Sequence, residues 1–60
     1  MPLVTIEMWE GRSVDQKREL AQGITSVMTN KLGIPAEAVT IIMKDVPKYN
    51  WAIGGKLASE

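Results

Sequence analysis

Sixty residues with seven basic and seven acidic side chains, no histidine and no cysteine describe a single domain, residues 1–60, of zero formal net charge. A chain this short buries only about 60% of the surface its unfolded form exposes and usually needs a staple. Disulfides and Cys/His zinc sites are excluded by composition, so with 45% hydrophobic residues the staple left is assembly into a homo-oligomer.

The charge balance offers nothing to nucleic acid or anionic lipid, and no apolar run is long enough to span a membrane. The opening residues alternate and do not form the apolar block of an export signal. A soluble cytoplasmic protein is expected, with neither nucleic acid nor membrane as partner.

Pro2 follows Met1 directly. Trimming of Met1, which aminopeptidases perform before a small residue, turns the Pro2 nitrogen from an amide into a secondary amine. Burial and a nearby positive charge both disfavour the protonated form of such an amine. An amine tuned in this way is suited to moving protons at carbon. In a chain without His or Cys this makes Pro2 the first candidate for a base. The structural alternative is a proline that opens an edge strand, where a missing N–H costs nothing.

From Pro2 to Trp9 the chain alternates, with Val4, Ile6 and Met8 on one side and Leu3, Thr5, Glu7 and Trp9 on the other. Period two predicts a strand. Leu3 and Trp9 make its second face partly apolar as well, as a face covered by another subunit would be. Glu10-Gly11-Arg12 breaks the pattern. Arg12 lies one strand length from Pro2, and its guanidinium can grip a carboxylate with two parallel hydrogen bonds; a solvated loop arginine is the plainer alternative.

Ser13 and Gln16 fit a capping box, and Asp15 suits the first turn of a helix. Leu20, Ile24, Val27, Met28 and the stem of Lys31 recur at helical spacing. Gly33 and Pro35 then stop the helix, which is expected over residues 14–32. Alternation resumes from Val39 to Lys44, with Val39, Ile41 and Met43 on one face and Thr40, Ile42 and Lys44 on the other. Strand, helix and strand in this order predict an α/β (α+β) fold, a single βαβ unit with parallel strands. Residues 46–50 read as a turn, Trp51-Ala52-Ile53-Gly54-Gly55 as a short C-terminal hairpin or arm, and residues 56–60 as a loosely held tail. Trp9 and Trp51, the only tryptophans, suit either an interface core or the wall of a pocket, and both if the pocket lies at an interface. A lone βαβ leaves both sheet edges and one sheet face open, which again predicts assembly.

Pro2 after Met1, Glu10-Gly11-Arg12-Ser13, Asp15-Gln16-Lys17 and Trp51-Ala52-Ile53-Gly54-Gly55 together resemble the 4-oxalocrotonate tautomerase (2-hydroxymuconate tautomerase) family of the tautomerase superfamily. The resemblance covers nearly the whole chain. It implies an isomerase that needs no cofactor and no metal. Pro2 would be the general base, Arg12 the holder of a substrate carboxylate, and Trp51 and Trp9 the pocket walls. The substrate would be a small 2-oxo or enol acid, the assembly a hexamer built as a trimer of dimers, and the metabolic setting the breakdown of aromatic compounds. One departure stands out: Thr40 occupies the position of the family's second arginine. A neutral hydroxyl there implies weaker activity on a dicarboxylate or a different acid, with Lys44 and Lys48 as substitutes to be placed. A related proline-dependent dehalogenase is a second alternative, against which this chain has no carboxylate near Trp51 to activate water. A non-catalytic ligand-binding hexamer is the remaining alternative.

Overall fold

Alternation along the first seven extended residues becomes alternation of burial in the computed structural model, which describes all 60 residues. Strand β1, Leu3–Trp9, half-buries Val4, Ile6 and Met8 and leaves Leu3, Thr5, Glu7 and Trp9 open. Helix α1 spans Val14–Leu32. Its start is fixed locally: the Ser13 hydroxyl accepts the Gln16 N–H at 3.1 Å, and the Ser13 N–H donates to Gln16 Oε1 at 3.0 Å. Each bond satisfies a backbone donor that a helix start leaves free. The helix stops at Gly33, whose φ of 66° is left-handed and whose N–H returns to the Thr29 carbonyl at 3.0 Å. A side chain at that φ is strained by about 1–2 kcal/mol, so Gly33→Ala is expected to lower the melting temperature of the assembled protein by a few degrees.

A 3₁₀ turn at Ala36–Ala38 leads into β2, Thr40–Val46, which lies parallel to β1 in a register from Leu3↔Thr40 to Trp9↔Val46. The strand therefore starts one residue later than expected and runs on through Asp45 and Val46. Lys44-Asp45 looks like a polar strand end, but Asp45 is held on the helix side by Lys17, whose Nζ lies 2.6 Å from its carboxylate. This is the one side-chain hydrogen bond between helix and sheet; partly exposed, it contributes at most about 1 kcal/mol.

The residues after the 3₁₀ turn Lys48–Asn50 form a hairpin of β3, Ala52–Ile53, against β4, Lys56–Leu57. Gly54 and Gly55 turn it with φ of 60° and 83°, the two positive values that a tight two-residue hairpin loop requires. The expected loose tail is thus partly structured: Lys56 and Leu57 pair as a strand, and the Ala58 N–H reaches the Trp51 carbonyl at 2.7 Å. Backbone pairing, invisible in the composition of so short a segment, holds it.

The helix is also rotated from the stripe expected of it. Lys17, Ala21, Ile24, Thr25 and Met28 are half-buried, whereas Leu20 and Val27 lie on an exposed flank. Spacing alone sets the width of an apolar stripe but not which side of it meets the sheet.

No residue of the 60 is buried in the single chain. Its radius of gyration is 14.4 Å, where a compact domain of this length has about 10 Å. Its accessible surface is 4643 Å², against about 3,900 Å² for a folded monomer of this mass. The sheet face away from the helix carries Leu3, Trp9 and Ile42, all more than a third exposed. No helix is long and apolar enough to cross a membrane.

Candidate active site

Parallel pairing sorts the candidate residues to two opposite ends of the sheet. At one end lies Pro2, whose carbonyl accepts the Thr40 N–H at 3.1 Å. That bond extends the β1–β2 ladder by one step and places Thr40 beside the start of the chain. Leu3 and Thr40 are registered partners on the exposed sheet face. Met1 is fully exposed in the single chain, and Pro2 is half-buried.

At the other end the two tryptophans meet. The Trp9 and Trp51 rings lie 5.9 Å apart between centroids at 76°, edge to face, a geometry in which the positive edge of one indole meets the negative face of the other. The 3₁₀ turn after Pro47 folds the chain back far enough to bring Trp51 to the end of β1. It also places the Lys48 ammonium 4.8 Å from the centroid of the Trp9 ring, within cation–π range. Lys44, the other lysine weighed, is registered with Glu7 in mid-strand.

Arg12 shares this second end. The Glu10 N–H still pairs with the Val46 carbonyl at 3.2 Å, and Gly11, at φ 116°, turns the chain off the sheet. Arg12 then lines a cleft of about 210 Å³ with Met8, Gln16, Lys17 and Leu20. The ion pairs of the chain are Lys17–Asp45 and Arg18–Asp15, so the Arg12 guanidinium has no carboxylate of its own. An unpartnered guanidinium in a cleft is chemically a receptor for an anion. Gln16 and Leu20 escape attention in the sequence because each already has a structural role there. Gln16 and Leu20, four residues apart on α1, share a helix face, whereas Arg12 precedes the helix cap and is brought beside them only by the fold.

Pro2 and the aromatic end do not come together within one chain. At about 3.3 Å per residue the length of β1 separates them by about 23 Å. Any site that combines Pro2 with Arg12 and Trp51 is therefore built between copies.

The Tautomerase enzyme family model matches residues 2–60. Over all 60 residues the chain is 40% identical to a 2-hydroxymuconate tautomerase of Comamonas testosteroni, covering 95% of that protein. It is 37% identical, again over its full length, to a probable tautomerase of Bacillus cereus, covering 98% of it. Among solved structures, a heterohexameric 4-oxalocrotonate tautomerase from Chloroflexus aurantiacus J-10-fl superposes with a TM-score of 0.93 at 37% identity, over 100% of this chain and 97% of the other. The shared architecture is the βαβ unit with its C-terminal hairpin. The chain belongs to the tautomerase enzyme family.

Proposed function

We propose that the chain, freed of Met1, is a cofactor-independent isomerase that shifts protons in 2-hydroxymuconate-like enol and 2-oxo acids, with Pro2 as general base. The observation that carries this is the 40% identity, across the whole chain, to a 2-hydroxymuconate tautomerase. The neutral Pro2 amine takes the proton of the 2-hydroxyl as the electron pair moves into the conjugated system. The protonated amine then returns it at C3 or C5, leaving the 2-oxo acid and the free amine. Arg12 holds a carboxylate through both of its parallel N–H groups, and Trp9 and Trp51 exclude water from the reacting carbons. Because the base acts only when unprotonated, kcat/KM rises with pH as the amine loses its proton.

The site is assembled from more than one copy. Two copies joined edge to edge with their strands antiparallel place the Pro2 end of one beside the aromatic end of the other, and such a two-fold contact completes two sites at once. Stacking three such pairs through the open face of Leu3, Trp9 and Ile42 gives a homohexamer, in line with the hexameric relative. Sedimentation is expected to show a hexamer with no folded monomer at micromolar concentration; a well-folded monomer would remove the shared site.

Thr40 favours a second reading, that of a weakly active or ligand-binding protein. Beside Pro2 it offers one neutral hydroxyl, where a charged hydrogen bond would contribute about 1.5–3 kcal/mol. Intact mass of the purified protein, followed by ultraviolet assay of 2-hydroxymuconate and phenylenolpyruvate, decides between the two. Processed protein that leaves both enols at their uncatalysed rates would make the chain a binder.

A further inference from the structure

We infer that Lys48 is a specificity-determining residue, the cation that meets the second carboxylate of a dicarboxylate substrate lying against the Trp9–Trp51 wall. The inference rests on the reaction proposed above and adds a residue to it. Three observations lead to it. The Lys48 ammonium sits 4.8 Å from the centroid of the Trp9 ring, and that ring meets Trp51 edge to face, so the charge lies beside the aromatic pair. No carboxylate of the chain neutralises it. Asp45, three residues earlier, is taken by Lys17 at 2.6 Å on the helix side, and Glu10, at the same end, enters no ion pair. Finally, Arg12, which lies beyond the same end of β1, likewise has no carboxylate partner.

The chemistry follows from charge matching. A planar diene with a carboxylate at each end carries two negative charges and one flat apolar middle. A single guanidinium satisfies one end and leaves the other desolvated against indole, which is unfavourable unless a cation meets it. An ammonium already resting on an indole face keeps part of its interaction with the ring while it turns a proton toward a carboxylate. A monocarboxylic acid has no use for this second cation.

The test uses processed, assembled protein and two unreactive six-carbon probes, adipate with two carboxylates and hexanoate with one, titrated by quenching of tryptophan fluorescence. Lys48→Met keeps the stem and removes the charge. It is expected to weaken adipate about tenfold, while hexanoate changes by less than about twofold; Lys48→Arg should restore adipate. In turnover the same split should appear as a raised KM for 2-hydroxymuconate with kcat and phenylenolpyruvate little altered. Equal weakening of adipate and hexanoate would make Lys48 a mere support for Trp9, and an unchanged adipate affinity would remove it from the site; either overturns the inference alone. A parent protein that binds neither probe and turns over no enol would overturn the proposed function, and this inference with it.

Discussion

Protein in which the Pro2 nitrogen remains an amide is expected to isomerise 2-hydroxymuconate about 10²–10⁴-fold more slowly than the processed protein, the range that a positioned base supplies. An amide nitrogen has no basic lone pair, so this change removes the base while leaving every side chain in place. A chain extended by one uncleaved residue at its amino terminus makes the comparison directly. The strand ladder that begins with the Pro2 carbonyl and the Thr40 N–H does not involve the proline nitrogen, so the extended chain should fold and assemble unchanged. Pro2→Ala is milder, since a processed alanine still ends in a primary amine. It should slow proton transfer without abolishing it and, because primary amines form imines with 2-oxo acids, become open to trapping by borohydride. Extended protein as fast as processed protein would mean that Pro2 is not the base.

The second large effect is expected at Arg12. Arg12→Ala should lower kcat/KM by a few kcal/mol equivalent of transition-state binding, about a hundredfold, with helix content and assembly unchanged. The expectation follows from its setting: the side chain lies beyond the sheet and just before the helix cap, lines an open cleft, and bonds to no other group of its own chain. Removing it leaves no protein carboxylate unpaired, so the loss should appear in substrate binding and not in stability. An unaltered kcat/KM would return Arg12 to the status of a solvated loop charge.

What the sequence disclosed, and what it hid, divides along the range of the interactions. The helix was legible to the residue because its signals are local: Ser13 and Gln16 cap each other three residues apart, and Gly33 closes the far end. The first strand was legible because alternation is itself the consequence of one covered face. The end of the second strand was not, since Asp45 breaks the apolar pattern and is accommodated only by Lys17, far away in the sequence. The pairing of Lys56 and Leu57 was hidden for a similar reason. Strand segments of two residues carry no periodicity, and their register is set by the Gly54-Gly55 turn.

The candidate site shows the same division. That Arg12 lies one strand length from Pro2 could be read by counting residues; that the separation needs more than one copy follows from the extended strand between them. That Trp9 and Trp51 touch, and that Lys48 rests on Trp9, depends on how the turn after Pro47 redirects the chain. Only the fold supplies that. The exposed flank of Leu20 and Val27 belongs to the same class, because which side of the apolar stripe meets the sheet is not encoded in its period.

The central claim, a site that joins the Pro2 amine of one copy to Arg12 of another, is tested most directly by mixing two inactive proteins. One carries the extended amino terminus and keeps Arg12; the other carries Arg12→Ala and keeps a free Pro2 amine. Denatured together and reassembled, they should form mixed oligomers in which some sites combine the intact amine of one chain with the intact guanidinium of the other. Activity toward 2-hydroxymuconate is then expected to rise well above the sum of the two proteins reassembled separately. A mixture no more active than that sum, in oligomers shown by mass to contain both chains, would contradict a site shared between copies.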